Sequence, residues 1–303
     1  MAQETEPSRP YSLRSHGVMV AARLLACFAA AVPPCAEALL HQQAEGALGN
    51  GAALRQKLSN LNDVQYYGDI SVGGQRLAGI LDTGSFELVL FSKNCDSCYA
   101  AGEYNESKSA TYEKGDAELQ HAYGSGACIA SDGFDTVEIN GLSAKHQPLW
   151  VASECNMPIL RMANFNAIVG IGPPGEPIKT ATQMLKELQA QKDAYVASGM
   201  DLPPDLTKAL QIANTQLDAA QGKAAMLDNF GVTTFSECLG KQPGSPGWLI
   251  WNDDTRKDAS GVMRVPVAGN ITWGVSATNL GFTTKTKSLS KVVGCKDGCG
   301  AIV

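Results

Sequence analysis

The chain has 303 residues, 18% charged and 44% hydrophobic, with a formal net charge of −6. That length holds one large domain or two modest ones, and the composition fits a folded core rather than disorder. The acidic balance argues against nucleic acid as a partner. The histidines His16, His41, His121 and His146 form no His-Glu-x-x-His, which argues against a zinc peptidase. Arg9 and Arg14 lead into an apolar run, cleanest from Leu24 to Val32, and then to Pro33-Pro34 and Ala36-Glu37-Ala38. A basic start, a short apolar centre and a small-residue end predict a secretory signal peptide over residues 1–38. The centre is short for a membrane span. Residues 39–62, with Arg55 and Lys57, read as a short propeptide or a linker.

The stretch Tyr66 to Gln75 alternates and ends in Gly73-Gly74, which predicts a strand and a tight hairpin turn. Ile80-Leu81 then delivers Asp82 into Asp82-Thr83-Gly84-Ser85, and Phe86 to Phe91 reads as the next strand. Asp82 therefore sits on a loop held between strands, where catalytic groups concentrate. Gly84 permits a sharp turn, and the hydroxyls of Thr83 and Ser85 can donate to the carboxylate, which favours its charged form. Alone, Asp-Thr-Gly marks an ordinary turn; the flanking strands shift the reading toward chemistry.

Tyr-Tyr-Gly-x-Ile-x-Val-Gly followed by Leu-Asp-Thr-Gly-Ser resembles the first lobe of the pepsin-like aspartic peptidases, family A1. The resemblance implies an all-β, bilobal acid-protease fold in which each lobe supplies one Asp-[Thr/Ser]-Gly. The two aspartates share a water and a proton, since close carboxylates cannot both ionise. It implies Asp82 as a catalytic residue, with Thr83, Gly84 and Ser85 supporting it. No second Asp-[Thr/Ser]-Gly occurs in the 303 residues.

Cys95-Asp96-Ser97-Cys98 suits a redox site, half a zinc site or a small disulfide; the signal peptide and the family's disulfide-closed loop favour the disulfide. Asn105-Glu106-Ser107 is a candidate glycosylation site in the same surface region. His121-Ala122-Tyr123-Gly124-Ser125-Gly126 resembles the family's flap hairpin, implying that Tyr123, Gly124 and Ser125 clamp an extended substrate. Asp135 to Leu142 reads as the strand that follows. The family often has Trp seven residues after the aspartate, packed on the flap tyrosine; here that position is Val89. Phe165 to Gly172 resembles the buried strand that crosses near the catalytic loop, with Asn166 and Ala167 in place of Asp and Gly. Gly170-x-Gly172-x-x-Gly175 also fits a dinucleotide fingerprint, but Pro173 and Pro174 remove the amides such a site needs. Ser125 and Ser245 both fail Gly-x-Ser-x-Gly.

Residues 177–228 carry apolar residues at helical spacing, with Pro203-Pro204 dividing two helices and Asp205 starting the second. They read as a helical insertion packed on the lobe. Strand character returns at Asn229 to Ser236 and Gly247 to Trp251. Met263 to Val267 and Trp273 to Val275 resemble the entry to the second lobe. Asn270 is a second glycosylation candidate, and Lys285, Lys287 and Lys291 mark a solvated hairpin. By the resemblance, Cys295 and Cys299 close a small disulfide loop, and Ala301-Ile302-Val303 leads into the second catalytic Asp. The chain is thus expected to be truncated just before that residue. The expected layout is an N-terminal lobe at 63–253 and the start of a C-terminal lobe at 254–303.

The expected function is that of an aspartic endopeptidase, inactive as this fragment, acting on a peptide or protein substrate. A non-catalytic peptide-binding relative is the alternative. The resemblance implies no cofactor, no metal, no nucleic acid and a monomer at full length. It places the protein in the secretory pathway, extracellular or in an acidic vacuolar or lysosomal compartment. The pairing of Cys128, Cys155 and Cys238 stays open; after signal removal one thiol is left free or pairs beyond Val303.

Overall fold

A computed structural model describes residues 54–302 except 174–175, 222–224, 256–257, 259, 269–271 and 284–287. The expected signal peptide at 1–38, residues 39–53, Asn270, Lys285 and Lys287 lie outside the described residues. The architecture is mostly β. Ten strands form one sheet: β1 (Leu54–Leu61), β2 (Gln65–Val72), β3 (Gln75–Asp82), β4 (Leu88–Phe91), β5 (Glu113–Tyr123), β6 (Gly126–Ile139), β7 (Leu142–Asn156), β8 (Ala167–Gly170), β9 (Phe235–Leu239) and β10 (Gly247–Trp251). Their order is β5-β6-β7-β4-β8-β3-β2-β1-β10-β9, and the end of β6 pairs again with β2 through Ser71↔Glu138 and Val72↔Val137. That second pairing folds the sheet back on itself.

The side-chain period of two sorts each strand between two cores. Leu88 and Leu90 of β4 face one cluster with Val72, Val137, Leu149 and Trp251. Val89 and Phe91 face the other, with Trp150, Phe165 and Ile168. This explains why β4 and β8 are apolar at every position: both faces are covered. Full burial of each such side chain contributes about 1.5–3 kcal/mol. The Gly73-Gly74 and Asn140-Gly141 turns adopt positive φ at both residues, as two-residue hairpin turns require.

Several boundaries differ from the sequence expectation. β1 lies inside the sheet, between β2 and β10, so the ordered lobe starts before residue 63 and part of the supposed linker is a strand. The strand after Asp82 opens at Leu88 rather than Phe86, because Phe86 and Glu87 belong to the Asp loop. Met226–Asn229, the helix α3, and a turn precede β9, so strand character returns at Phe235 rather than Asn229. The insertion is helical as expected: α1 spans Glu176–Ala197 and α2 spans Pro204–Ala220, with Pro204 and Asp205 in its first turn. Beyond β10, β11 (Gly274–Ala277) pairs with β14 (Cys299–Ile302), and β12 (Leu280–Thr283) pairs with β13 (Ser288–Gly294).

Disulfides join Cys95 to Cys98, Cys128 to Cys155 and Cys295 to Cys299. Cys238 is disulfide-bonded too, so none of the three cysteines left open in the sequence is a free thiol. The first two bonds are neighbours: Cys98 Sγ lies 3.5 Å from Cys155 Sγ, and the Cys155 amide donates to Ser97 Oγ at 2.8 Å. Asn105 is not on the surface where the sequence placed it. It is buried, its side-chain oxygen accepts the Ser107 amide, and its backbone bonds the Gln75 side chain. Nearby, Asp135 is fully buried and accepts from Tyr104 Oη at 2.7 Å, Ser109 Oγ at 2.9 Å, the Thr136 amide at 2.7 Å and Thr111 Oγ1. That carboxylate ties the 104–111 loop to β6.

Candidate active site

Asp82 ends β3, and β8 runs parallel beside it with Asp82 opposite Gly170. Three successive amides, from the last residue of β8 onward, clamp the loop. Gly170 N–H donates to the Glu87 carbonyl at 3.0 Å, Ile171 N–H to the Asp82 carbonyl at 2.9 Å and Gly172 N–H to the Ser85 carbonyl at 2.8 Å. The glycines are there for space. A Cβ on Gly170 would sit 2.5 Å from Glu87 N and 2.6 Å from Phe86 N; one on Gly172 would sit 2.7 Å from the Ser85 carbonyl oxygen. The Gly-x-Gly pattern therefore serves backbone packing against the Asp loop. Asn166 fixes the approach: its Oδ1 accepts the Ala78 amide at 3.1 Å and its own amide donates to the Ala78 carbonyl at 2.7 Å. The Trp273 indole donates to the Ile171 carbonyl at 2.8 Å, which attaches the later segment to the same clamp.

The Asp82 carboxylate accepts the Gly84 amide at 2.9 Å. Among the described residues this is its one donor. The expected bonds from Thr83 and Ser85 are not formed, and Ser85 Oγ is buried with no partner. The Asp loop turns tightly enough to bring its own Gly84 amide to Oδ1, which leaves the neighbouring hydroxyls for other acceptors.

Tyr123 and Gly126 close the β5–β6 hairpin around Gly124-Ser125. Gly126 has φ +141°, and a Cβ there would meet the Asn156 carbonyl oxygen at 2.1 Å, so β7 braces the root of the flap. Asp82, Ser85, Tyr123, Gly124 and Ser125 all line one cleft of about 770 Å³. Thus the structure brings together the Asp loop and the hairpin that the sequence separates by some forty residues. Burial pushes the Tyr123 phenol well above its ordinary pKa, and the Glu87 and Asp82 carboxylates push it further the same way.

Three lining residues had no role in the sequence reading. Glu87 Oε2 lies 3.4 Å from His121 Nδ1, so a second carboxylate and the imidazole face each other at the flap's base. Trp150 of β7 sits opposite Val89 in register and meets the His121 ring edge-on at 4.6 Å. The indole missing at Val89 is supplied by the adjacent strand. Only the Glu87 position, inside the Asp loop, carried a local signal; His121 and Trp150 become site residues through register.

A carboxylate at the tip of a parallel strand pair, under a glycine-tipped hairpin on a folded β-sheet, defines the pepsin-like class of aspartic peptidase fold. Comparison with known proteins agrees. Residues 65–197 match the model of the eukaryotic aspartyl protease family. The chain is 26% identical to a pregnancy-associated glycoprotein of Equus caballus over 88% of its length and 58% of the relative's. It is 26% identical to cathepsin E-B of Xenopus laevis over 84% of its length and 55% of the relative's, and 31% identical to pepsin A of Sus scrofa over 45% and 36%. Over residues 65–197 the chain is similar to the eukaryotic aspartyl protease family, and over most of its length it is similar to pepsin-like proteins. It spans little more than half the length of the first two relatives and about a third of the third.

Proposed function

We propose that the protein is an aspartic endopeptidase of the secretory pathway that hydrolyses peptide or protein substrates with water activated at Asp82. The observation that carries this reading is that Asp82 and Tyr123 line one cleft. The chemistry needs two carboxylates in different protonation states, one accepting a proton from water while the other donates to the carbonyl oxygen. The 303 residues contain one Asp-Thr-Gly, so the partner carboxylate is assigned to a second lobe that residues 254–303 begin. Thr83, Gly84 and Ser85 position Asp82, and Tyr123, Gly124 and Ser125 hold an extended peptide by its backbone. The disulfides support an oxidising compartment. The test uses protein made from the full-length transcript. Cleavage of an unstructured protein substrate at acid pH, blocked by a pepstatin-type inhibitor and lost in Asp82→Asn, supports the assignment. Inhibitor binding with no cleavage at any pH would instead identify a non-catalytic peptide-binding relative.

A further inference from the structure

The helical insertion contributes a wall of the cleft. Thr180 and Ala181 of α1 and Gln216 and Ala220 of α2 line the same space as Asp82 and Tyr123. Gln216 and Ala220 are four residues apart and so share one helix face. Ala181 and Ala213 are buried where the hairpin packs, and α2 packs on the flap strand β5.

Among the described residues the unpaired buried polar atoms concentrate here. Among the described residues, four buried side-chain oxygens or nitrogens lack a hydrogen-bond partner: Gln65 Oε1, Ser85 Oγ, His121 Nε2 and Thr180 Oγ1. The last three belong to residues lining this one cleft, and they come from three separate elements: the Asp loop, the flap strand and the insertion. A buried polar group left without a partner destabilises the free protein, so their convergence points to a ligand that pairs them. An extended peptide presents alternating amide donors and carbonyl acceptors, and a threonine hydroxyl can serve either. Among the described residues no Lys or Arg lines the cleft, whereas Asp82 and Glu87 do.

We propose that the insertion is a substrate-recognition element and that Thr180 is a substrate-binding residue whose hydroxyl pairs with the backbone of a bound peptide, neutral or basic where it crosses this wall. The proposal deepens the peptidase reading and rests on it. Its signature separates it from a structural role. In Thr180→Val the volume is kept and the orphan hydroxyl is removed, so the unliganded protein becomes no less stable while peptide binding weakens.

The experiment measures the dissociation constant of a fluorescently labelled pepstatin-type peptide at acid pH, using protein from the full-length transcript. Wild type, Thr180→Val, Thr180→Ser and a variant with 177–220 replaced by a Gly/Ser linker are compared, each with its melting temperature. The expected result is about fivefold to tenfold weaker binding in Thr180→Val, the equivalent of one net hydrogen bond, at an equal or higher melting temperature, with recovery in Thr180→Ser. The linker variant binds at least as weakly as Thr180→Val. Wild-type affinity in both Thr180→Val and the linker variant overturns the recognition wall and leaves the peptidase reading intact. Loss of melting temperature in Thr180→Val also overturns it, because the hydroxyl then serves the fold. No binding by the wild type at any pH from acid to neutral overturns the peptidase reading itself.

Discussion

Replacing Gly170 by alanine tests whether the clamp on the Asp loop governs both stability and chemistry. The new Cβ would lie 2.5 Å from Glu87 N, and 2.6 Å from both Phe86 N and Phe86 C. Ordinary contact starts at 3.4 Å, so the difference 3.4 − 2.5 requires the backbone to give by about 0.9 Å. The obstructing atoms are main chain, so no rotamer change relieves them. β8 is buried along its whole length, so it has no room to retreat. The loop 82–87 must therefore move, stretching the bonds from Gly170, Ile171 and Gly172. Overpacking of this kind costs roughly 1–3 kcal/mol, or about 2–4 °C of melting temperature per kcal/mol in a chain of this size class. A displacement near 1 Å at a catalytic group costs on the order of a hundredfold in rate. The assay pairs thermal unfolding with kcat/KM on a peptide substrate in protein from the full-length transcript. Gly300→Ala, where a Cβ meets nothing within 4 Å, is the stability control. A Gly170→Ala variant with wild-type melting temperature and wild-type kcat/KM would refute the clamp.

Other consequences follow from the same geometry. Asp135→Ala leaves the fully buried Tyr104 hydroxyl unpaired and removes three further donors' acceptor, so a loss of roughly 3–5 kcal/mol is expected in urea unfolding; adding Tyr104→Phe restores about 1–2 of it. Tyr104 and Tyr123 both have raised pKa values, in each case chiefly through burial, with Asp135 adding to the first and Glu87 and Asp82 to the second. Both phenols stay neutral in the folded state. Their contribution to stability is fully present below the ordinary tyrosine value of about 10 and is lost as pH rises above it, which tyrosinate absorbance recorded alongside unfolding will follow. Cys95→Ser leaves the Cys98 thiol 3.5 Å from Cys155 Sγ, so thiol–disulfide exchange moves the bond from Cys128–Cys155 to Cys98–Cys155 in part of the population. Peptide mapping detects the Cys98–Cys155 species; its absence at every alkaline pH rules the exchange out.

Much of the site was legible because its chemistry is local. Asp82 to Ser85 and Tyr123 to Ser125 each announce themselves within a few residues, since a tight turn and a hairpin tip demand glycine at fixed offsets. Gly170 and Gly172 were visible but ambiguous: one pattern serves a phosphate cradle or a close backbone crossing, and only the neighbour against which they pack decides. β1 was hidden because Arg55, Lys57 and Asn60 break its apolar character, and its partner β10 lies almost two hundred residues away. Asn105 read as a surface sequon because three residues carry no information on the Gln75 side chain that encloses it.

Trp150 marks the deeper limit. A tryptophan seven residues after the Asp-Thr-Gly aspartate is a sequence feature, and Val89 stands in its place. The physical requirement is an indole beneath the flap, and a sheet can supply it from any strand whose register fits. β4 and β7 run parallel with Val89 opposite Trp150, so exchanging a large and a small side chain across this pair keeps the volume while moving the indole to a neighbouring strand. His121, in the flap strand, packs its ring against that indole and turns Nδ1 to Glu87, coupling the new support to the Asp loop. On that logic Trp150→Ala leaves a cavity next to the flap root. It should cost roughly 3–5 kcal/mol of stability, as large aromatic truncations do, and, on the proposed role of the hairpin in holding substrate, raise KM more than it lowers kcat. Val89→Trp in the Trp150→Ala background, which returns the indole to the strand on the other side of the pair, should recover part of both; recovery of neither would show that Trp150 supports the core and not the flap.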